Sequence, residues 1–379
     1  MRELSEVRVD IDRVDKGILD LYQERMNLAT EVAEYKISIG KPVYDKNREE
    51  EKLTSLSNAA KEENKQSVRE LYEHIMAVSR KKQYQILAEH NMIEPLGFDE
   101  IDSVDYEGKN ICYQGVEGAY SQIALKEFFK GDNYNSFHVD SWRDAMDAIT
   151  NGTADYAVLP IENSSAGFIA TNYDLLSEYD VTIVGEQIVK VGHALLALPG
   201  TKIEDITTVY SHAQAIMQCD GYLRNHMQWN AVAMENTAKA AKKVKEDGIK
   251  NAAAIGSTLC AKLYGLDILE TPIADNQNNQ TRFIIVTSKK QYVKDADKVS
   301  VTFVIKNEQG SLYHLLSHFT FNGLDMSKIE SRPLKGESWS YRFFVDFTGN
   351  LQSKAVINAI TGVKAEAASF RILGCYKGE

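Results

Sequence analysis

Apolar side chains recur three and four positions apart at the start of the chain, which is the spacing of one packed stripe along a helix. The stripe consists of Leu4, Val7, Ile11, Val14, Ile18, Leu21, Leu28 and Val32. Arg25 takes the stripe position between Leu21 and Leu28, where a guanidinium is costly unless an anion meets it. Lys36 lies about 20° around the helix from Arg25, so both cations face the same way. The pattern predicts a long helix that presents two cations to a small dianion.

Further polar residues recur at helical spacing on two shorter helices that follow Pro42. They are Asp45, Arg48 and Glu49 on the second helix, and Ser79 and Gln83 on a third helix that we expect from about Gln66 to His90. An internal ion pair to a Glu or Asp is the alternative explanation for Arg25 alone. Polar groups at matching positions on all three helices favour a ligand site instead.

Arg8 precedes Arg25 by about 25 Å along the helix axis, too far for both to bind one small ligand. It could complete only a second site, on another subunit. The two shorter helices also cannot cover the whole stripe of the long one. An intertwined helical dimer, in which each long helix serves two sites, satisfies both observations.

At these spacings the N-terminal region, residues 1–92, resembles the all-helical chorismate mutases. The resemblance implies catalytic roles for Arg8, Arg25, Lys36, Arg48, Glu49 and Gln83, and substrate binding by Asp45 and Ser79. It implies rearrangement of chorismate, a dianion, to prephenate without a nucleophile, metal or cofactor. The reaction needs a compact substrate conformer and cations beside the ether oxygen. Arg25 and Arg48 suit the carboxylates and Lys36 the ether oxygen, whereas Glu49 could donate a hydrogen bond only if protonated.

From Asn110 the pattern changes to short apolar strands with helices between most of them, after a first boundary near residues 91–107. The predicted strands are 111–113, 157–159, 181–184, 194–198, 208–210, 252–255 and 283–286, and a helix is predicted over 120–129. This alternation predicts an α/β fold of two lobes. The first glycine turn lacks the third glycine of a dinucleotide fingerprint, so the pattern gives little support to NAD binding.

Three polar clusters fall at the ends of these strands, where open α/β sheets hold ligands. They are the runs 160–165, 211–214 and 278–283. Each alone could be a turn with capping side chains. Together the Pro-Ile-Glu-Asn, Tyr-Ser-His-x-Gln and Thr-Arg-Phe motifs resemble the prephenate dehydratases, over residues 108–288. The resemblance implies loss of carbon dioxide and the ring hydroxyl from prephenate to give phenylpyruvate, and it leaves arogenate open as an alternative substrate.

For this second reaction we expect Thr281 to hydrogen-bond the leaving hydroxyl, orienting it or relaying a proton. The expected substrate-binding residues are Glu162, Asn163, Ser211, His212, Gln214, Arg282 and Phe283. Glu162 is a proton source only if buried, and Arg282 holds either the loop or a carboxylate. His212 is the titrating candidate, with a helix cap as the alternative role.

A second boundary is expected near Gln291–Lys298, and residues 298–379 follow the order strand, helix, strand, strand, helix, strand. This βαββαβ order is typical of an α+β ferredoxin-like fold. Two motifs in it resemble those of the ACT regulatory domain, in which L-phenylalanine binds between two subunits. The implied effector residues are Gly310, Ser311, Leu312, Glu330, Ser331, Arg332 and Pro333. A purely structural dimerisation module is the alternative.

The composition limits the classes of partner and the compartment that we expect for this chain. The chain has 379 residues and a net charge of −11, which argues against nucleic acid or an anionic membrane as a partner. Its four cysteines are scattered, and with no signal peptide or long apolar stretch evident we expect a cytoplasmic protein without a disulfide framework. His314 and His318 lack a third ligand, so we expect no metal.

The order of the three segments resembles the bacterial bifunctional chorismate mutase–prephenate dehydratases. The implied partners are chorismate, prephenate and the inhibitor L-phenylalanine, and a homodimer or homotetramer is expected, with no cofactor. The competing hypothesis is a ligand-binding sensor, because two-lobed α/β domains often bind small molecules without chemistry. Thr281 with Asn163 and Gln214, together with the complete mutase set, favours the enzyme.

Overall fold

The computed structural model describes residues 2–90, 95–305, 308, 310–334, 336 and 339–379. It forms two compact units, each described here by itself. The first comprises Met1–Leu96 and Val301–Arg371, and the second comprises Gly97–Ser300 and Ile372–Glu379. The expected boundary near residues 91–107 falls partly on residues 91–94, which lie outside the described residues.

The N-terminal region is helical, as predicted. It contains α1 (Leu4–Ile39), α2 (Lys46–Ala59), a short 3₁₀ turn (Glu62–Asn64) and α3 (Lys65–Glu89). α1 ends at Gly40, whose left-handed backbone (φ 64°) lets its N–H reach the carbonyl of Ile37. Met26 and Ala33 are buried on α1, which packs against α3. In contrast, the apolar stripe is open to solvent, and Leu21 remains 68% exposed.

The second unit holds most of the strands. Its helices are α4 (Tyr120–Phe128), α5 (Trp142–Thr150), α6 (Ala170–Glu178), α7 (Ala213–Gln218), α8 (Asp220–Arg224), α9 (Thr237–Asp247) and α10 (Thr258–Tyr264). Its strands are β1 (Asp99–Ile101), β2 (Asn110–Gln114), β3 (Asn135–Val139), β4 (Tyr156–Asn163), β5 (Gly167–Phe168), β6 (Thr182–Lys190), β7 (Ala194–Ala197), β8 (Thr208–His212), β9 (Asn230–Met234), β10 (Ala252–Gly256), β11 (Asp267–Glu270), β12 (Gln280–Thr287) and β13 (Gln291–Val293). These elements build two lobes, as the alternating pattern predicts.

Each lobe is centred on its own mixed sheet. The strand order is β6-β12-β4-β2-β3 in one lobe and β11-β7-β10-β8-β9 in the other. β12 lies antiparallel between β4 and β6, with Thr281 opposite Asn163. The chain passes from the first lobe to the second after β6 and returns before β12, so the residues near these two crossings lie between the lobes.

The strands that the sequence pattern did not predict lie mainly at sheet edges. β3, β9 and β11 are edge strands with largely exposed residues, so they lack the apolar run that marks a buried strand. β13 lies within the segment expected to be a polar linker, and it pairs with β1 in a parallel two-stranded sheet.

The C-terminal segment has the predicted βαββαβ order. It comprises β14 (Lys298–Val304), α11 (Ser311–Phe321), β15 (Met326–Pro333), β16 (Tyr341–Thr348), α12 (Lys354–Glu366) and β17 (Ser369–Tyr376). The strand order is β15-β16-β14-β17. Within the first unit, α12 packs against α3 of the helical region. Within the second unit, Gly374 lies opposite Ile183, whose carbonyl oxygen would be 2.1 Å from a Cβ at residue 374. A side chain there would separate the two strands.

Candidate active sites

The first polar cluster lies between α1 and α3. A terminal nitrogen of Arg25 donates to Ser79 Oγ at 2.5 Å, and Lys36 Nζ donates to the carbonyl of Val43 at 2.5 Å. Burial lowers the pKa of Arg25, although Tyr72 and Glu49 oppose the shift. Burial likewise lowers the pKa of Lys36, against the carboxylates of Asp45 and Glu49. The two cations therefore occupy a partly desolvated site. A bound anion would replace the stabilisation that their charges lose when water is excluded.

Glu49 of α2 belongs to the same cluster. Burial raises its pKa, and Arg80, Lys36 and Arg25 oppose that shift. Gln83 of α3 is 7% exposed, and its Oε1 has no hydrogen-bond partner among the described residues. An unpaired buried amide oxygen is costly, so a donor on a ligand would satisfy it.

Of the residues expected at this site, Arg8 and Arg48 do not reach it, and Asp45 caps α2 beside it. The side chain of Arg48 is 73% exposed and lies 3.8 Å from Glu51. Asp45 caps α2, where its Oδ1 accepts from the Arg48 N–H at 3.1 Å. Arg8 is exposed on α1. One chain therefore brings together Arg25, Lys36, Glu49 and Ser79, but not Arg8 or the Arg48 side chain.

Arg80 is a charged residue of this cluster that the sequence analysis missed. It is 6% exposed and forms ion pairs with Glu49 and Glu366. A signal was present, because Arg80 follows buried Met76 by one helical turn and precedes Gln83 by three residues. The predicted cations of the site lie on α1 and α2, and the residues predicted on α3 are uncharged.

The second candidate site is a cavity of about 530 Å³ between the two lobes of the second unit. It is lined by Thr281 and Phe283 of β12, Asn163 of β4, and His212 and Gln214 at the start of α7. Asn163 Nδ2 donates to Thr281 Oγ1 at 2.9 Å and to Asn279 Oδ1 at 2.8 Å. Because Thr281 accepts this bond, its hydroxyl proton is free to be donated into the cavity.

Among the described residues that line the cavity, none is a lysine or an arginine. Besides the short helix α7, the N-terminal ends of four longer helices meet there, and these are α4, α5, α6 and α9. Helix N-termini carry a partial positive charge and unpaired N–H groups. The indole N–H of Trp142 and the amide nitrogen of Asn236, at two of these helix starts, are buried without a hydrogen-bond partner among the described residues. These neutral donors can bind an anion, against the opposing charge of Asp140 and Glu235, which also line the cavity.

His193 is a further cavity residue that the sequence analysis missed. It lies just after β6, where the chain passes between lobes, and it is 2% exposed. Its Nε2 lies 2.9 Å from Gln218 Oε1, and Tyr120 donates to the carbonyl of Gly192 at 2.6 Å. Burial lowers the pKa of His193, with the bond to Gln218 opposing it. An isolated histidine outside any motif gave no signal in the sequence.

Three predicted residues do not line the cavity. Ser211 is fully buried and donates to the carbonyl of Ile255 at 2.7 Å. Arg282 Nε donates to Glu186 at 2.6 Å, which fits the expected alternative that Arg282 has a structural role. Glu162 pairs with Arg282 in the β-register. Successive side chains of β12 point to opposite faces of the sheet, so Arg282 points away from the face that carries Thr281 and Phe283.

His212 takes the capping role that the sequence left open. Its Nδ1 accepts from the Gln214 N–H at 3.3 Å at the start of α7, while the residue also lines the cavity. Burial lowers its pKa. The neutral ring is therefore favoured, with Nδ1 as an acceptor.

The expected effector residues occupy two places in the C-terminal segment. Gly310, Ser311 and Leu312 form the start of α11, and Gly310 is left-handed with φ 78°. Residues 330–333 end β15, where Arg332 lies opposite Arg342 of β16. Ser311 also lines a cavity of about 290 Å³ with Glu49 and Glu366.

No cluster of His, Cys, Asp and Glu among the described residues has the composition of a metal site. Among the same residues, no helix combines the length and apolar character needed to cross a bilayer. All four cysteines are buried free thiols.

Comparison with known proteins assigns both regions. The family profile of Chorismate mutase type II matches residues 7–84, and that of Prephenate dehydratase matches residues 111–291. The chain is 34% identical to a Bifunctional chorismate mutase/prephenate dehydratase of Enterobacter agglomerans, over 99% of this chain and 96% of the relative.

Two solved structures resemble the region after the helices. A prephenate dehydratase from Arthrobacter aurescens in complex with L-Phe is 29% identical, with a TM-score of 0.66 over 71% of this chain and 90% of that one. GqqA, described as a novel type of quorum quenching acylase, is 30% identical, with a TM-score of 0.65 over 72% of this chain and 98% of that one. The same fold thus occurs under different described activities, and the residues of the cavity must decide between them.

Proposed function

Because this chain belongs to the bifunctional chorismate mutase/prephenate dehydratase family, we propose that it converts chorismate to prephenate and prephenate to phenylpyruvate. It is an enzyme of phenylalanine biosynthesis with two activities, as the sequence analysis predicted. Each site assignment rests on one hydrogen bond between residues that the resemblances name. Arg25 donates to Ser79 in the first unit, and Asn163 donates to Thr281 in the second.

In the helical site, Arg25 holds a carboxylate of chorismate and Lys36 lies beside the ether oxygen. The C–O bond breaks as the new C–C bond forms, and negative charge develops on that oxygen. Cations held in a desolvated site stabilise this charge without reorganising. Ser79 holds the Arg25 guanidinium, Gln83 contributes a further polar contact, and Glu49 donates a hydrogen bond in its protonated form. Arg8 comes from a second copy, because it lies too far along α1 to serve the same site.

In the interlobe cavity, Thr281 donates to the departing ring hydroxyl of prephenate. The C–CO₂⁻ bond breaks and releases carbon dioxide, its electron pair enters the ring, and the hydroxyl leaves as water with a proton that comes from solvent and is relayed through Thr281. Aromatisation supplies the driving force, so the protein mainly orients the leaving group. Asn163 fixes the Thr281 hydroxyl through its bond at 2.9 Å. The helix starts and the N–H groups of Trp142 and Asn236 hold the carboxylates.

We further propose that the C-terminal segment is an ACT regulatory domain that binds L-phenylalanine, with domain bounds of 1–92, 108–288 and 298–379. The βαββαβ order and the L-Phe bound to the Arthrobacter aurescens relative support this assignment. The exposed stripe of α1 supports an intertwined dimer, alone or within a tetramer. The free cysteines favour a reducing compartment, and we propose the cytoplasm.

The test feeds chorismate to the purified full-length protein and follows chorismate, prephenate and phenylpyruvate separately, with and without L-phenylalanine. The wild type should form phenylpyruvate, and L-phenylalanine should slow its formation. Arg25→Ala should stop chorismate loss but still convert added prephenate. Thr281→Ala should consume chorismate and accumulate prephenate.

Other outcomes identify the competing functions. If chorismate remains intact with the wild type, the helical region is a dimerisation arm rather than a mutase. If neither chorismate nor prephenate reacts while L-phenylalanine still binds, the chain is a sensor. Faster turnover of arogenate than of prephenate would correct the second substrate.

A further inference from the structure

A buried ion network connects the candidate mutase site to the C-terminal segment within the first unit. Arg80 of α3 forms ion pairs with Glu49 of α2 and with Glu366, the last residue of α12. Its Nε lies 2.8 Å from Glu366 Oε1, and the side chains of both residues are 7% exposed. His318 of α11 reaches the same carboxylate oxygen at 2.9 Å. One guanidinium is thus shared by two carboxylates from different parts of the sequence.

The charges in this network depend on one another because solvent is largely excluded. Burial opposes the charge on Arg80, but Glu366 and Glu49 raise its pKa. Burial also opposes the charge on Glu366, but His318 and Arg80 lower its pKa. For Glu49 burial dominates and raises the pKa, with Arg80 opposing and Glu366 reinforcing that shift. A change at Glu366 therefore alters the proton affinity of Glu49 through Arg80 and directly.

The groups that face Glu49 come from several elements. The titratable or charged side chains that act most on Glu49 or Arg80 are Arg25 and Lys36 of α1, Tyr44 before α2, Tyr84 of α3 and Glu366 of α12. The same cavity is also lined by Lys46, Glu50, Arg69, Glu73, Glu308 and His314, and His318 contacts Glu366. Tyr44 also lies under the guanidinium of Arg80, whose Cζ is 5.0 Å from the ring centroid. The tyrosines are neutral at ordinary pH, so Glu366 is the anion that competes with Glu49 for Arg80.

We propose that Arg80 is a positioning residue for the mutase reaction. Its guanidinium is divided between Glu49 and Glu366, and the Glu366 carboxylate thereby helps Glu49 to keep the proton through which it hydrogen-bonds the substrate. This inference rests on the proposed mutase function. It makes the end of α12, outside the helical region, a part of the mutase machinery.

The experiment measures the pH dependence of chorismate consumption by the full-length protein, for the wild type and two variants. Arg80→Gln removes the cation beside Glu49, so protonated Glu49 persists to higher pH and the alkaline limb of kcat moves up by about one pH unit. Glu366→Gln removes the competing anion and leaves Arg80 to Glu49 alone, so the limb moves down by about one pH unit. Arg80→Lys retains the charge and should restore most of the wild-type profile.

The control is Lys65→Gln, at the start of α3, which removes an ion pair to Glu62 and lies outside the cavity that Glu49 and Glu366 line. Its pH profile should match the wild type. If Arg80 had only a structural role, Arg80→Gln would lower the free energy of unfolding, but the alkaline limbs of the Arg80→Gln and Glu366→Gln profiles would not move in opposite directions. Shifts in the same direction, or no shift in either variant, overturn the proposal.

A second readout does not need either reaction. The titration of Glu49 is followed by NMR in protein with ¹³C-labelled glutamate, and its signal is identified by its loss in Glu49→Gln. The midpoint should rise in Arg80→Gln and fall in Glu366→Gln, and unchanged midpoints overturn the charge sharing. If the wild type leaves chorismate intact while the two variants show the expected midpoint shifts, the mutase function is refuted and the charge sharing is retained.

Discussion

At the scale of single residues, the Thr281 hydroxyl is the group on which the second reaction depends. It accepts from Asn163 and faces the cavity, so its own proton can be directed only towards a ligand. Thr281→Val keeps the shape of the side chain but removes that proton. We expect kcat for prephenate to fall about 100-fold, the range typical of a lost proton-transfer group. Chorismate consumption should continue, so prephenate should accumulate in a coupled assay.

Two variants control for effects on folding. Thr287→Val alters a threonine of the same strand that is 1% exposed and does not line the cavity, and it should leave prephenate turnover near wild type. Thr281→Ser retains a hydroxyl and should recover most of the activity. Equal activity of Thr281→Val and wild type would remove Thr281 from the mechanism.

His193 predicts how stability depends on pH. Burial lowers its pKa in the folded chain, whereas the unfolded value is about 6.5. Below that pH the unfolded chain binds a proton that the folded chain resists, so stability is lost as pH falls from about 6.5 towards the lowered folded value. His193→Gln should therefore show a smaller decrease in urea midpoint between about pH 7 and about pH 5 than the wild type. His138→Gln, at an exposed histidine, should decrease like the wild type.

Where a motif coincided with a helical or strand period, the structure places several of the predicted residues close together, while their roles stay predictions. Arg25, Lys36 and Ser79 share one helical site, and Asn163 and Thr281 share one cavity. Arg282 and Ser211 belong to the same motifs, but their side chains serve the interior, because a motif does not state which face of a strand each member takes. Arg80 had a local signal in its position on α3, but its ion pair with Glu366 joins distant segments and could not be predicted from the helical pattern.

At the scale of elements, the open stripe of α1 predicts self-association through that helix. Ile18 lies on the stripe and is 59% exposed in the chain. Ile18→Glu would place a charge in the proposed dimer interface, where desolvation is costly. We expect light scattering to show a smaller assembly. Mutase activity should fall about 100-fold, the cost of losing one charge-stabilising donor such as Arg8. Prephenate turnover should persist.

The matched control for this variant is Lys16→Gln. It changes the net charge by the same amount on a different face of α1 and should leave both assembly and mutase activity intact. Full mutase activity from a monomeric Ile18→Glu protein would contradict the shared site and leave Arg8 without a role.

Elements with a strong period were predicted close to their observed bounds, and edge strands were not. α1 and the βαββαβ segment follow from long apolar periods and from their order. β3, β9 and β11 alternate exposed residues at the edges of their sheets, so their sequences resemble loops. β13 and β1 exist only because they pair with each other over a long sequence separation. Such pairing is a tertiary effect that local pattern does not contain.

At the scale of the whole molecule, sequence order predicted three segments, but in the structure two of them form one compact unit. The helical region and most of the C-terminal segment form one unit, connected by α3 against α12 and by the Arg80 network. No local pattern predicts this arrangement, because its contacts join residues far apart in the chain. It gives the C-terminal segment a direct physical route to the mutase residues.

This arrangement leads to a prediction for feedback inhibition. Gly310 begins α11 with φ 78°, and a Cβ there would lie 3.1 Å from His314 Nε2, in the space where we expect the carboxylate of L-phenylalanine to approach the helix start. Gly310→Ala should therefore raise the L-phenylalanine concentration for half-inhibition about tenfold, equivalent to about 1.4 kcal/mol of binding free energy.

The backbone strain of an alanine at positive φ has its own control in the same segment. Gly323, just after α11, has φ 67° and open space where a Cβ would lie, so Gly323→Ala carries the strain without obstructing the helix start. We expect its inhibition curve to match the wild type. If both alanine variants lose inhibition equally, strain in the segment is the cause and the effector does not bind at Gly310. If only Gly310→Ala loses it, for prephenate turnover and chorismate consumption alike, one effector site governs both activities.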